Sequence, residues 1–172
     1  MRLFGVEGSA VRACKIAGVA LGAMISGAAL PAAAQELIIT IEHIRALDKI
    51  DAAGQADFYA QVTIDGKVYK TERIRRADDV RPNWVIRAPV GGRTVDVKLE
   101  ILDKDVLSKD DLVDINRVNG KRDLDFRVRT RPCEVLGFSQ TYDCSGRGVV
   151  ITRAGDEKKS AEVTFRVDTS RR

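Results

Sequence analysis

The segment Phe58-Tyr-Ala-Gln-Val-Thr-Ile-Asp-Gly-Lys-Val-Tyr-Lys70 decides the fold class. Apolar and polar residues alternate on both sides of Asp65-Gly66, and a two-residue period is typical of a half-buried strand. Asp-Gly between two such runs is a strong signal for a tight β-hairpin, because a type I′ turn needs a positive φ at both central residues. The segment therefore predicts two antiparallel strands joined by a two-residue turn.

Strand-like patterns continue on both sides of this hairpin, and no stretch after Gln35 holds a long helical apolar period. Turn signals stand at Gly91-Gly92, Asn119-Gly120 and Ala154-Gly155-Asp156. Short strands at this spacing predict an all-β fold, an antiparallel sandwich of roughly eight strands. The strand-like runs are Glu36–Ile44, Phe58–Ile64, Lys67–Ile74, Trp84–Ala88, Val95–Leu102, Leu112–Val118, Leu124–Val128, Val149–Thr152 and Glu162–Val167.

Residues 1–34 have the features of a secretory signal peptide. Positive residues precede the apolar stretch Ile16–Leu30, and the small residues Ala32-Ala33-Ala34 end the segment. We expect cleavage after Ala34, which leaves residues 35–172 as a single domain in the periplasm or outside the cell. An uncleaved membrane anchor is the alternative, although the apolar stretch is shorter than the roughly twenty residues of a transmembrane helix.

Charge and cysteine content narrow the function classes. The formal net charge of the chain is only +4, and its aromatic residues do not interleave with its basic ones, so we expect no nucleic-acid partner. Cys133 and Cys144 follow the signal segment, and an exported protein meets an oxidising compartment. We predict a disulfide between them that closes a small loop and contributes on the order of 3 kcal/mol. A redox pair would need a Cys-x-x-Cys spacing.

Two aspartate clusters follow strand-like runs about fifty residues apart. The first contains Asp51 and Asp57, and the second contains Asp103, Asp105 and Asp111. Loops at one end of a sheet would bring these carboxylates together, and hard divalent cations such as calcium prefer oxygen ligands of this kind. Aspartate is also a common turn former, which is the alternative explanation for any one of them. Five in two loops predict a calcium site.

The order of these motifs resembles that of C2 domains, in a secreted bacterial version. The resemblance extends over about residues 36–118. It implies a C2-like β-sandwich whose loops bind calcium, with Asp51, Asp57, Asp103, Asp105 and Asp111 as ligands. The chain differs from the family pattern at Phe58 and Asp114, where proline and glycine are usual. The motifs are Asp51-x-x-Gly54-x-x-Asp57-x-Tyr59, Lys70-Thr71, Pro82-x-Trp84 and Asp103-x-Asp105-x-x-x-x-x-Asp111.

Apolar residues beside the clusters suggest a membrane tip. The backbone carbonyls of Ile50 and Lys104 are possible further calcium ligands. Ile50, Val106 and Leu107 would project beside the ions and enter a lipid surface once calcium neutralises the acids. The alternative is that these side chains close the end of the sandwich as part of the core. Asp48 and Asp110 are spare acids nearby.

A basic set lies on and after the third predicted strand. Lys67, Lys70, Arg73 and Arg75 belong to it, and in lipid-binding relatives a basic face here meets anionic head groups, at about 1 kcal/mol per residue. A solvated strand face is the alternative explanation.

The sequence offers no catalytic arrangement. His43 is its one histidine, so a zinc set or a His-based nucleophile is not available, and we expect no enzyme activity. Two functions of different classes fit the residues. One is an exported calcium-dependent module that docks on anionic phospholipid membranes. The other is a periplasmic protein-interaction or structural module, in which calcium only rigidifies the loops. In both cases we expect a monomer.

Overall fold

The hairpin predicted around Asp65-Gly66 is present in the computed structural model. β2 (Phe58–Ile64) and β3 (Lys67–Lys70) pair antiparallel, with Ile64 opposite Lys67. Asp65 and Gly66 have φ angles of 45° and 80°, so both turn residues adopt the positive φ that this kind of turn requires.

The structure describes residues 35–51, 54–105, 108–144, 149–155 and 158–171. These residues belong to one compact unit, Pro31–Arg172. The predicted signal peptide and the tip residues Val106 and Leu107 lie outside the described residues. The remaining strands are β1 (Gln35–Ala46), β4 (Asp79–Val80), β5 (Trp84–Val90), β6 (Thr94–Asp103), β7 (Asp111–Val113), β8 (Leu124–Thr130), β9 (Cys133–Leu136), β10 (Tyr142–Asp143), β11 (Val149–Arg153) and β12 (Ala161–Arg171).

The strands form two antiparallel sheets, as predicted. In the first sheet the order is β11-β12-β1, and the free side of β1 pairs with β5 along its first half and with the short β4 near its end. In the second sheet the order is β10-β9-β8-β6-β2-β3, and β7 also pairs with β6. Within the described ranges no helix is long and apolar enough to cross a bilayer.

The core lies between the two sheets. Alternate residues of each strand point inward, which is clearest in β5 and β8, where every second side chain is buried. Phe58, Phe165 and Ile39 are completely buried, and Trp84 is 7% exposed. The core therefore follows directly from the two-residue apolar period of the sequence.

Strand register places the two aspartate-rich loops at one end of the sandwich. Phe58, the first residue of β2, lies opposite Asp103, the last residue of β6. Asp103 in turn lies opposite Asp111, the first residue of β7. The loop before β2 and the loop after β6 are therefore neighbours, as the sequence required for a shared site.

Three short strands were not predicted, and two predicted strands are shorter than expected. β4, β9 and β10 contain only two to four residues each, too few for a periodic pattern to be recognised. The run Lys67–Ile74 is a strand only as far as Lys70, and the run Leu112–Val118 is a strand only as far as Val113. The disulfide between Cys133 and Cys144 is present, with a Cα–Cα distance of 5.2 Å.

Candidate functional site

Three aspartates of the two loops surround one buried carboxylate, that of Asp103. Asp103 is the last residue of β6, and alternation in that strand directs its side chain inward, between the sheets, where it is 2% exposed. The backbone N–H of Asp57 donates a hydrogen bond of 2.6 Å to Asp103 Oδ1. The backbone N–H of Lys104 donates to the carbonyl of Asp57 at 3.0 Å. These bonds join the two loops directly at Asp103.

The electrostatics of Asp103 are unfavourable for its charged form. Burial raises the pKa of its carboxyl above the usual value, and the negative charges of Asp105, Asp51 and Asp57 raise it further, against the hydrogen bond from Asp57. Asp51, Asp57, Asp103 and Asp105 are called the acid cluster below. A buried carboxylate among three like charges is stabilised by any cation that comes close to it.

The fifth predicted ligand, Asp111, lies beside the cluster but has a partner of its own. Its carboxylate forms a salt bridge with the ammonium group of Lys159. Asp57 is engaged as well, because Arg73 Nη1 lies 3.3 Å from its Oδ2 and the backbone N–H of Arg76 donates to its Oδ1 at 2.8 Å. Basic groups of the protein thus compensate part of the negative charge.

The acid cluster has the donor chemistry of a calcium site but not its closed geometry. Within the described ranges no three acidic, histidine or cysteine side chains stand close enough together to hold a metal ion. The donors are nevertheless all hard oxygens, and a cation would stabilise the charged form of the buried Asp103. The residues therefore fit calcium, provided that the carboxylates of Asp57 and Asp111 turn away from their basic partners.

The spare acids have structural roles. Asp110 Oδ2 accepts a hydrogen bond of 2.7 Å from the Tyr59 hydroxyl, and Lys104 Nζ donates to Asp110 Oδ1 at 2.8 Å. These two bonds, the one from Lys104 above all, lower the pKa of the Asp110 carboxyl. The carboxylate of Asp48 accepts from the backbone N–H groups of Lys49 and Lys159, at 2.6 Å and 3.2 Å.

Ile50 is not a membrane tip. Its side chain is 2% exposed and belongs to the hydrophobic core cluster. The sequence places an apolar residue next to Asp51, but the chain turns its side chain inward, where burial is more favourable than exposure to water. The alternative, that the apolar residues close the end of the sandwich, is therefore correct for Ile50. Its carbonyl remains a predicted ligand.

The basic set is divided by the structure. Lys70 and Arg73 line one open concavity of about 380 Å³ on the outer surface of the second sheet, together with Tyr59, Thr71, Lys104 and Asp110. Lys67 lies on the opposite face of β3, because it is an odd number of residues from Lys70, and its ammonium lies 5.3 Å from the Tyr69 ring centroid. Arg75 is exposed outside this concavity. The prediction of one four-residue basic face is therefore wrong for Lys67 and stays a prediction for Arg75.

The group Lys70, Arg73, Lys104, Tyr59, Thr71 and Asp110 is called the basic concavity below. Lys70 Nζ lies 6.0 Å from the centroid of the Tyr59 ring, and burial together with Asp110 raises the pKa of the Tyr59 hydroxyl to about 12. Arg73 connects the concavity to the acid cluster through Asp57. The two sites are therefore adjacent.

Sequence reasoning missed the side chain of Lys104, although a signal for it exists. The sequence prediction uses only the backbone carbonyl of Lys104. Alternation along the chain places residue 104 on the face opposite to Asp103 and Asp105, the face that also carries Tyr59. By the same alternation, the side chains of Asp110 and Asp111 lie on opposite faces, with Asp110 on the face of Tyr59. Lys159 had no comparable signal, because it comes from a distant loop before β12.

Comparison with known proteins agrees with this architecture. Residues 35–131 match the C2 domain family, which is more than half of the chain. A search of curated protein sequences finds no match. The matched range contains the whole acid cluster and the whole basic concavity, and it ends before the disulfide-closed segment.

Solved structures show the same fold at low sequence identity. A C2 domain of plant Extended Synaptotagmin 1 has a TM-score of 0.55 and 10% identity, and the match covers 82% of this chain and 98% of that one. A structure described as that of a C2 domain has a TM-score of 0.53 and 14% identity, and the match covers 79% of this chain and 98% of the other.

A larger protein with this fold is human GIVD cytosolic phospholipase A2, with a TM-score of 0.51 and 16% identity. The match covers 81% of this chain but only 17% of the phospholipase. C2 domains are themselves non-catalytic modules, and they commonly bind calcium together with phospholipid membranes or proteins. On the family match and the shared fold, the chain belongs to the C2 domain family.

Proposed function

We propose that this protein is an exported calcium-binding C2 module that docks on anionic phospholipid membranes through its aspartate-rich loops. The observation that carries the proposal is the buried carboxylate of Asp103 with three further acids around it. Such a charge arrangement calls for a compensating cation, because an unpaired buried charge is costly. Asp51, Asp57, Asp103, Asp105 and Asp111 would supply carboxylate oxygens.

Two carbonyls are proposed as further ligands. Ile50 and Lys104 each stand next to a cluster aspartate in the sequence. Calcium takes six to eight oxygen ligands and accepts carbonyls readily, so carboxylates alone need not fill its coordination shell.

The basic concavity supports the membrane part of the proposal. Lys70, Arg73 and Lys104 lie beside the loops that would hold calcium. Anionic head groups attract basic side chains near the surface by about 1 kcal/mol each. Calcium in the acid cluster would remove the repulsion between the same head groups and the aspartates. The two neighbouring sites would thus act on one membrane surface.

Export is proposed from the signal-like residues 1–34, and an exported protein would be periplasmic or secreted. The disulfide between Cys133 and Cys144 is consistent with an oxidising compartment. Millimolar or sub-millimolar calcium affinity would suffice there, since extracellular calcium modules work at about 0.1 to 1 mM.

One observation favours the second candidate function, a protein-interaction or structural module in which calcium only rigidifies the loops. Ile50 is buried, so one of the three apolar residues proposed for membrane insertion is not available. Membrane docking then depends on Val106, Leu107 and the basic concavity.

A calcium titration followed by liposome sedimentation distinguishes these functions. Heat released on binding is measured by calorimetry, and the protein is then pelleted with phosphatidylcholine vesicles that contain or lack phosphatidylserine. Saturable calcium binding with calcium-dependent pelleting on the anionic vesicles is the expected result. Binding without pelleting would favour the structural module, and no binding at several millimolar calcium would contradict both.

A further inference from the structure

A second cavity lies at one side of the sandwich and shares no lining residue with the acid cluster or the basic concavity. It opens between the edge strand β11 of the first sheet on one side and β8 with the segment after β9 on the other, and the segment after β7 covers its end. Its volume is about 310 Å³, at the lower end of the range of small-molecule sites. We call it the lateral slot. The C2 family match ends at residue 131, before most of the chain that builds it.

The floor of the lateral slot is apolar and firmly packed. Phe138 lies in it, with its ring centroid 5.6 Å from that of Phe126 and 5.9 Å from that of Tyr142. Gly137 allows this packing, because a Cβ at this position would lie 3.2 Å from the Cα of Phe126 and the residue has a φ of 109°. The disulfide ties the two ends of this segment together. The floor of the slot is therefore a fixed part of the edge of the hydrophobic core.

The wall opposite this floor, formed by β11 and the segment after β7, is also held in place. The backbone N–H of Gly155 donates to the carbonyl of Asn116 at 2.9 Å, which joins β11 to the segment after β7. A side chain at Gly155 would collide with Asn119. Both sides of the slot are thus held by direct contacts.

The charge of the lateral slot is positive. Arg117, Lys121 and Arg153 line it, and Asp125 is the one acid among the described residues that line it. In the part of the chain that the structure describes, none of the three basic side chains forms an ion pair. Their charges are therefore available to an anionic group at the mouth of the slot.

Two exposed aliphatic side chains point to a ligand with an apolar part. Ile151 and Val118 line the slot and are 58% and 59% exposed, so large aliphatic surfaces border the opening.

We propose that the lateral slot binds a small amphipathic monoanion, such as a medium-chain fatty acid. The apolar chain lies against Phe138, Tyr142 and Leu124, and the carboxylate faces Arg117, Lys121 and Arg153. The combination of an aromatic floor, exposed aliphatic side chains at the opening and three basic side chains matches this chemistry and disfavours a cationic or purely polar ligand. The site is separate from the calcium loops and does not depend on the proposed function.

The test compares decanoate with decyltrimethylammonium, which has the same chain and the opposite charge. The full-length protein, produced in an oxidising compartment, is titrated with each probe while the methyl signals of Ile151 and Thr152 are followed by NMR. Decanoate is expected to shift both signals with saturation in the millimolar range, as its small number of atoms allows. Decyltrimethylammonium is expected to cause no measurable shift of either methyl signal.

Three variants make the test specific. Lys121→Glu with Arg153→Glu is expected to weaken decanoate binding at least about tenfold, whereas Arg127→Glu, an exposed charge reversal on β8 outside the slot, leaves it unchanged. Ser139→Trp fills the opening and is expected to abolish binding, so the test stands even if the double variant fails to fold. Equal shifts with the cation, or undiminished binding in both slot variants, would overturn the proposal.

Discussion

The acid cluster and the basic concavity share the loop between β6 and β7, yet their charges are balanced in opposite ways. At one end of this loop, burial and three neighbouring carboxylates raise the pKa of Asp103. At the other end, hydrogen bonds from Lys104 and Tyr59 lower the pKa of Asp110. Asp110 is therefore compensated by groups of the protein, whereas the charge around Asp103 is compensated only in part, and calcium is the cation that we propose to complete it. One loop can thus contain an acid that stabilises the fold, Asp110, and an acid proposed to bind an ion, Asp103. The hydrogen-bond and charge partners of each acid distinguish the two.

The largest effect should follow from removing two charges of the acid cluster. Asp103→Asn with Asp105→Asn is expected to abolish the stabilisation by calcium, because two of the proposed ligands lose their charge. At a calcium concentration a hundred times the dissociation constant, that stabilisation is about 2.7 kcal/mol. Thermal unfolding with calcium and with chelator measures it. The matched control, Asp96→Asn with Asp125→Asn, changes two exposed aspartates and should respond to calcium like the wild type. An unchanged calcium shift in the cluster variant would contradict the ligand assignment.

The next largest effect should come from the proposed membrane tip. Replacing Val106 and Leu107 by Ser should weaken liposome association by about 2 kcal/mol in all, because partial insertion gives less than the roughly 1.5 to 3 kcal/mol of a fully buried side chain, and should leave calcium affinity unchanged. Sedimentation with anionic vesicles at saturating calcium measures the first quantity, and calorimetry measures the second. Full-strength association in this variant would mean that the loop does not enter the membrane.

The basic concavity offers a prediction with a control on the same strand. Lys70→Ala is expected to weaken association with phosphatidylserine vesicles by about 1 kcal/mol, because Lys70 lines the concavity. Lys67→Ala removes the same charge from the opposite face of β3 and should have no effect. Equal losses in the two variants would indicate a general effect of net charge. Vesicle titrations at two salt concentrations measure both variants.

Much of this arrangement was predictable from the sequence. The spacing of Asp103, Asp105 and Asp111 and the alternation of β6 imply that the acids meet at one end of the sheet. The Asp65-Gly66 turn determines the register of the hairpin, because only one pairing is compatible with a two-residue turn. These predictions rest on local backbone geometry, which depends on few residues.

The remaining features depend on contacts between distant segments. An apolar residue beside an acid can point to lipid or to the core, so the sequence could not decide between these positions for Ile50. Lys159 meets Asp111 only because the segment before β12 packs near the loops. The short strands β9 and β10 contain too few residues for a periodic signal, and their position depends on the packing of Phe138.

The smallest expected effect is a difference in how stability depends on pH between variants of Asp103 and Asp110, measured without calcium. The folded-state pKa of Asp103 is raised, so its protonated form favours folding, and this contribution is lost as the pH rises from the unfolded value of about 3.9. Asp103→Asn cannot ionise and keeps an oxygen that can accept from the N–H of Asp57. With a calcium chelator present, the free energy of unfolding of Asp103→Asn should match that of the wild type near pH 3. Near pH 7 it should exceed the wild-type value by up to about 1 kcal/mol.

Asp110→Asn should behave in the opposite way. Its lowered pKa contributes stability above the unfolded value, which is lost as the pH falls through the folded value. This variant should therefore be less stable than the wild type near neutral pH and equal to it in strong acid. Urea unfolding across this pH range measures both differences. If Asp103→Asn were less stable than the wild type at neutral pH in chelator, Asp103 would be a structural acid like Asp110, and the contrast between the two sites would disappear.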